Sequence, residues 1–507
     1  MSAEHFDVLI MGAGLSGIDA AWHLQKFCPR KTYVILEQRE RIGGTWDLFR
    51  YPGIRSDSDM FTMGYSFRPW TSPQTIAPGG DIRNYVTATA RDAGINQHIR
   101  FRHRIQSAAW SSSDARWTVQ AVRVEPSGRE TPVTLTCSFL FSCAGYYRYS
   151  AGYRPDFPEL GQFTGRVIHP QAWPEDLDYA GKRIVIIGSG ATAVTLLPAM
   201  AKTAAHVTML QRSPTYIVSL PAEDRIANFL RLLMPDMAAY RISRWKNVTY
   251  MLYVYRLAQR FPQGVKAGIL KKIRAQLGPD YDVATHFTPR YNPWQQRLCL
   301  VPDGDLFHAI RDGRASVVTG QIERFTPTGI RLQSGEELPA DIVVTATGLV
   351  LQAFGGTQLE VDGRPVDLGA TLSYKGVMLS GVPNLAAVFG YINASWTLKA
   401  DLICHYVCRL LNLMDKKGAR QVTPRSGSEA PAAPFIETDQ FNPSYMQRAI
   451  AHWPKQGAQP PWRVYQNYLR DIWSLKWSRV ANQALEFSSP VQAPSQHASE
   501  AADHQLA

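Results

Sequence analysis

Gly12, Gly14 and Gly17 follow the apolar run FDVLIM and open LSGIDAAWHLQ, a stretch with helical periodicity. A second apolar run, TYVIL, then ends at Glu37. A strand, a tight glycine turn and a helix bring backbone N–H groups, here around Leu15, Ser16 and Gly17, to a helix N-terminus, where they can hold a pyrophosphate. A carboxylate at the end of the next strand can accept ribose hydroxyls. Glycines alone are a weak signal, but with strand, helix and acid in register they predict a dinucleotide site.

The pattern returns in KRIVIIGSGATAV, with Gly188, Gly190, Ala191 and Thr192 in the turn and Ala193 in the third glycine's place. Its next strand, HVTMLQRSP, ends in Arg212 and Ser213 instead of an acid. A cation there suits a ribose carrying a 2′-phosphate, so this second site is expected to take NADPH; the alternative is a lone surface arginine. Two such sites in one chain imply FAD in the first and NADPH in the second, with hydride passing between them. Disulfide reductases and flavin monooxygenases share that layout. No cysteine lies between Cys28 and Cys137, which removes the redox pair the reductases commonly place beside the flavin.

The elements that must position these turns call for a long chain, and 507 residues suffice for two or three domains. The expected fold class is α/β, with two dinucleotide-binding Rossmann-like domains, for FAD and NADP, and a helical insertion. FLFSCAGYY and DIVVTATGL end in glycine turns at Gly145 and Gly348 and bracket the second unit, so one domain is read as inserted into the other. The expected boundaries are a first FAD part over 1–148, a first NADP part over 149–220 and a helical insertion over 221–290. A second NADP part over 291–340 follows, then the second FAD part with the C-terminal region over 341–487 and a disordered tail over 488–507.

The N-terminus, MSAEHFDVLIMGAG, does not resemble a secretion signal, and no window reaches the roughly 18 apolar residues of a spanning helix. Six cysteines without a CxxC or a Cys/His run at metal spacing predict reduced thiols, no metal site and a cytoplasmic location. The net charge is +12, concentrated between Arg225 and Arg274, where Asp236 is the one acid. That basic, amphipathic region is either a solvated face or a site of peripheral attachment to an anionic membrane surface or to acidic partners. No nucleic-acid recognition module is present.

FTGRVIHPQAWP contains FxGxxxHxxxWP through Phe163, Gly165, His169, Trp173 and Pro174, and GGTWDLFRYPGIRSD runs from Gly43 to Asp57. With NPWQQRLCLVP and NASWTLKADL, these stretches resemble the type I Baeyer–Villiger monooxygenases, class B flavoprotein monooxygenases, over about residues 5–487. The resemblance implies that Gly44, Thr45, Trp46 and Asp57 contact FAD. It implies also that Phe163, Gly165, His169 and Trp173 couple domain movement to the reaction, from an irregular segment that Pro170 and Pro174 keep out of a helix. Their alternative role is structural, His169 bonding backbone and Trp173 filling an interdomain core. The implied chemistry is reaction of reduced FAD with molecular oxygen to a flavin (hydro)peroxide that converts ketones to esters or lactones. Sulfides and thioamides such as ethionamide are further small-molecule substrates. Arg297 and Asp57 are the implied catalytic pair, the guanidinium stabilising developing oxyanions and the carboxylate orienting it; the alternative for Arg297 is a salt-bridging surface arginine. Gln295 and Gln296 stand where the family's pattern has Asp and Lys, which leaves Arg212 as the main phosphate anchor. An N- or S-oxygenating monooxygenase without ketone activity and a non-enzymatic flavin redox sensor or membrane-associated scaffold remain the alternatives.

Overall fold

The computed structural model describes residues 3–296, 298–427, 431, 433–435 and 443–490. Val8–Met11 is apolar on both faces, and such a run suits a strand covered by helices on each side. It forms most of β1 (Glu4–Met11), followed by α1 (Leu15–Phe27) and β2 (Tyr33–Leu36), whose four residues are all buried. β1 pairs in parallel with β2 and, on its other edge, with β6 (Glu130–Ser142). β3 (Ile99–Arg100) extends this parallel block beyond β2, and the strand Leu385–Ala387 extends it beyond β6. The N-terminal half of β6 pairs antiparallel with β5 (Arg116–Val124), and β5 with β4 (His103–Ser111), so the meander grows from the same sheet.

The second sheet is wholly parallel. Its order is β12 (Ala315–Thr319), β9 (His206–Gln211), β8 (Arg183–Ile187), β16 (Ile342–Thr345), β7 (Arg166–Ile168). β10 (Ile217–Leu220) and β11 (Cys299–Pro302) pair beside it, and β13 (Ile322–Thr326), β14 (Gly329–Leu332) and β15 (Glu337–Pro339) form a meander over one face. This arrangement corrects two expectations. Arg166–Ile168, expected to be irregular, is an edge strand, because Val167 and Ile168 find their ladder partners in Val343 and Val344. The chain also stays in the second sheet past residue 340: β16 lies between β7 and β8 through Thr345.

Short helices α2 (Thr45–Leu48) and α3 (Met60–Met63) precede α4 (Gly79–Asp92), and α5 (Ala191–Met200) follows β8. Between the second sheet's strands lie α6 (Arg225–Leu233), α7 (Asp236–Arg260), α8 (Pro262–Leu277) and α9 (Val283–Phe287), and α10 (Asp305–Arg311) follows β11. The stripe Tyr240, Arg244 and Val248 turns one face of α7 inward. Arg244 Nη1 donates to the carbonyls of Phe61 and Gly64 at 2.9 and 2.8 Å, fastening α7 to the turn after α3. The tail expected to be disordered lies outside the described residues from 491 onward, while a strand over Leu485–Ser488 pairs with Gln421–Pro424.

α11 (Trp396–Lys417) packs along α1 and buries Cys404 and Cys408 against it. The seam holds ionisable groups: His23 Nδ1 lies 3.1 Å from the Asp19 carboxylate, and Nε2 lies 3.8 Å from that of Asp401. Asp19, His23 and Cys404 each bring a possible ligand atom within 4.8 Å of the others, a set that no sequence spacing announced. Burial opposes a charged imidazole, but the Asp19 carboxylate, its hydrogen bond and Asp401 outweigh it and raise His23 to about 9. Burial raises Asp19 to about 6 even beside His23.

Above about pH 6.5 Asp19 is mostly ionised folded or unfolded, so His23 is the member of this pair that titrates there. Its folded value exceeds the ordinary 6.5, so its contribution is complete below 6.5 and lost as pH rises through about 9. The apparent unfolding temperature is expected to fall over that interval, and His23→Gln to flatten that limb of the profile.

Candidate functional site

Two glycine turns define the site. In the first, Gly12 takes φ +97°, and a Cβ on Gly17 would sit 1.9 Å from the Gly12 carbonyl oxygen, so the α1 N-terminus lies directly on the turn. No side chain caps that first turn, which carries Leu15, Ser16 and Gly17, leaving it suited to an anion. Trp396 Nε1, from the start of α11, donates to Ser16 Oγ at 2.8 Å. Glu37 follows β2 as expected and is buried. Its Oε2 accepts from the Ala13 N–H at 2.7 Å and its Oε1 from the Arg39 N–H at 2.8 Å. Burial raises its pKa against those two donors. Each oxygen retains a lone pair for a ribose hydroxyl.

Gly44, Thr45 and Trp46 stand beside this turn, Gly44 so near that a Cβ on it would meet Gly14 Cα at 3.0 Å. Trp46 packs partly buried against the core of the first domain, and Thr45 lies near the half-buried Tyr149. Asp47, within the same motif, was not singled out from sequence. It is fully buried and gathers three cations: Arg39 Nη2 at 2.7 Å, Arg83 Nη1 at 3.6 Å and Arg50 Nη2 at 3.7 Å. Its place inside GGTWDL was the available signal, but three partners dispersed over residues 39–83 have no periodicity to reveal them.

From this cradle the chain runs straight into the second domain. Leu48, Phe49 and Tyr51 belong to the apolar cluster formed by β8, β9, α5 and α10, and the Tyr51 hydroxyl is near Thr192 in the first turn of α5. Burial pushes Tyr51 up to about 12, against the influence of Thr192. Arg55 pairs with Asp305 at the start of α10 at 2.5 Å, and Arg50 pairs with Glu175. Asp57, two residues beyond Arg55, is exposed and near enough to Tyr51 to bear on its ionisation.

The second turn has the first turn's form. Gly188 takes φ +133°, Gly190 precedes α5, and no side chain caps the helix where Ala191 and Thr192 begin it. Arg212 and Ser213 follow β9 and are exposed, and Ser189 Oγ donates to the Ser213 carbonyl at 3.1 Å. Gln295 Oε1 accepts from the Asn292 N–H at 2.8 Å. Arg297 lies outside the described residues.

The FxGxxxHxxxWP residues divide between the two faces of the second sheet and its edge. Phe163 is buried with Phe325 and Ile330, and Gly165 leaves room for the Asp341 carbonyl, which a Cβ would approach to 2.5 Å. His169 caps the turn Pro170–Ala172: its Nδ1 accepts from the Gln171 N–H at 3.2 Å, and its Nε2 lies 3.3 Å from the Gly348 carbonyl. That pairing assigns the Nε2–H tautomer, and burial lowers the ring's pKa, so His169 is held neutral. Trp173 is half-buried against the cluster that Leu48, Phe49 and Tyr51 enter.

Comparison with known proteins agrees with this arrangement. Residues 73–352 match the flavin-binding monooxygenase-like family model, and residues 10–71 match that of the NAD(P)-binding Rossmann-like domain. The chain is 56 % identical over 487 residues to the FAD-containing monooxygenase EthA of Mycobacterium tuberculosis, covering 96 % of this chain and 98 % of that one. It is 53 % identical to EthA of Mycolicibacterium smegmatis, covering 96 % and 97 %. Among solved structures, an oxidised steroid monooxygenase bound to NADP superposes with a TM-score of 0.75 at 22 % identity, over 96 % of this chain and 100 % of that one. The polycyclic ketone monooxygenase of Thermothelomyces thermophila does so with a TM-score of 0.77 at 16 % identity, over 97 % and 91 %. These two share the two-sheet fold; sequence identity over nearly the whole length makes the chain a member of the flavin-binding monooxygenase-like family.

Proposed function

We propose that the protein is an FAD-containing, NADPH- and oxygen-dependent monooxygenase of the Baeyer–Villiger type, converting ketones to esters or lactones and oxygenating sulfides and thioamides such as ethionamide. The observation that carries the reading is the segment 44–53, which touches the first glycine turn at Gly14 and reaches α5 at Thr195 and Ala199. Ten residues thus span two dinucleotide cradles. Bound FAD supplies a two-electron carrier that reacts with oxygen, and NADPH supplies the hydride.

The residues have separate tasks in this reading. The α1 turn with Glu37 holds FAD by pyrophosphate and ribose, with Gly44, Thr45 and Trp46 closing the cradle. The α5 turn holds the second pyrophosphate, and Arg212 and Ser213 receive the 2′-phosphate. Arg297, from its place in NPWQQRLCLVP, supplies the cation beside the reacting oxygen, and Asp57 orients it. His169, fixed to the Gly348 carbonyl that follows β16, and Trp173, against the interdomain cluster, transmit movement between the domains. A cytoplasmic location is part of the reading, supported by six buried, unbridged cysteines.

Two variants test these assignments. Arg212→Ala is expected to reduce the preference for NADPH over NADH by about 1.5–3 kcal/mol, the scale of a charge-assisted hydrogen bond; unchanged selectivity in initial rates rejects the phosphate assignment. Arg297→Ala is expected to let NADPH reduce the flavin but to slow ketone oxygenation about a hundredfold or more. Gas chromatography of the products decides the class: an ester from a ketone supports the Baeyer–Villiger reading. Sulfoxide formation with no ester from any ketone supports the N- or S-oxygenating class, and absence of oxygen-dependent NADPH turnover supports a redox sensor.

A further inference from the structure

The helical insertion exposes apolar side chains that the site does not use. α6 carries Asp224 as its cap and turns Ala227 inward, which leaves Ile226, Phe229, Leu232 and Leu233 on its outer side. Phe229 is 59 % exposed and Leu232 83 %. α7 adds Ile242 and Trp245, three residues apart on its own outer face. The Trp245 ring meets that of Tyr468 at 6.1 Å, so the turn after Tyr468 abuts α7, and it projects Leu469, Trp473 and Trp477 into solvent, each tryptophan 65 % exposed.

The charge around these residues is mainly positive, although Glu223, Asp224 and Asp236 stand at the ends of α6. From Arg225 to Arg274 there are eleven lysines and arginines and a single acid, so this stretch supplies most of the chain's +12. Arg225, Arg241, Arg256, Arg260, Lys271 and Lys272 are exposed there, and Arg470, Lys476 and Arg479 flank the two tryptophans. Among the described residues no helix is long and apolar enough to cross a membrane.

We propose that the outer face of α6, together with Trp473 and Trp477, docks the protein on an anionic lipid bilayer. A short helix with aliphatic and phenylalanine side chains standing outward fits the headgroup–acyl boundary, where it can sink its apolar face by about 5–10 Å. Tryptophan favours the same depth, having an apolar ring and a polar N–H. The surrounding cations add electrostatic attraction to anionic headgroups. The exposed cations that surround these apolar side chains match an anionic lipid surface, which takes both at once. The surface stands apart from the catalytic assignment and does not depend on it.

The test is cosedimentation of the FAD-loaded full chain with vesicles of phosphatidylcholine, with and without phosphatidylglycerol at about one part in three. The expected result is partition onto the anionic vesicles at least about tenfold above that onto neutral ones, weakened by added salt. Phe229→Asp/Leu232→Asp and, separately, Trp473→Ser/Trp477→Ser are each expected to lower partition about tenfold or more while leaving FAD content and unfolding temperature unchanged. The second pair keeps the test open should the first fail to fold. Failure of the parent protein to bind anionic vesicles overturns the proposal, as does equal binding by both folded variants. Conversion of a parent dimer to a monomer by the α6 variant, with vesicle binding intact, also overturns it and assigns the face to contact between copies.

Discussion

Everything at the site depends on one close approach between domains. Gly53 lies at φ +75°, and a Cβ on it would fall 2.6 Å from the Ala199 Cβ and 3.0 Å from the Thr195 carbonyl oxygen of α5. Any other residue would be strained there and would push the domains apart. Around this contact Leu48, Phe49 and Tyr51 enter the second domain's core, and Arg55 pairs with Asp305. The approach is therefore set by packing, with polar contacts fixing its direction. Because the same segment begins against Gly14, the distance between the two glycine turns is set by a stretch of chain too short to vary much.

Buried charge holds the surroundings in place. Asp47 is removed from water, and Arg39, Arg50 and Arg83 converge on it, so the motif that closes the first cradle is braced from several directions. Arg244 does the same for the insertion, with its guanidinium buried among main-chain carbonyls of the first domain. Losing Arg244 would leave buried carbonyls without a donor, and losing Asp47 would remove the anion on which three part-exposed guanidinium groups converge. These contacts tie α7 and the loop over residues 39–50 to the first domain, while α8 and α9 of the insertion bury Leu270, Ile273, Val283 and Phe287 in the core of the second.

The legible parts of the molecule were those whose signal is local. Glycine turns, the acid after β2 and the arginine after β9 lie within one βαβ unit, where spacing along the chain translates directly into position. β7 was not legible, since three residues become a strand only through a partner near residue 343. The same distance misplaced the domain boundary: the run IVVT of β16 serves either sheet equally well until its neighbours are known. The Asp19, His23 and Cys404 group and the Asp47 hub escaped for a similar reason, as each is assembled across elements. The contact of His169 with the Gly348 carbonyl was likewise out of reach of its motif, because its partner lies 179 residues further along the chain.

Replacing Gly53 with valine and mixing the FAD-loaded protein with NADPH in the absence of oxygen, with flavin absorbance followed by stopped flow, tests this dependence most directly. A displaced second domain leaves each cradle intact but separates the two cofactors, so FAD content is expected to match the parent while flavin reduction slows about a hundredfold, the usual cost of misplacing reactants by about an ångström. Flavin reduction at the parent rate by a folded Gly53→Val protein would contradict the claim that this contact sets the geometry of the site.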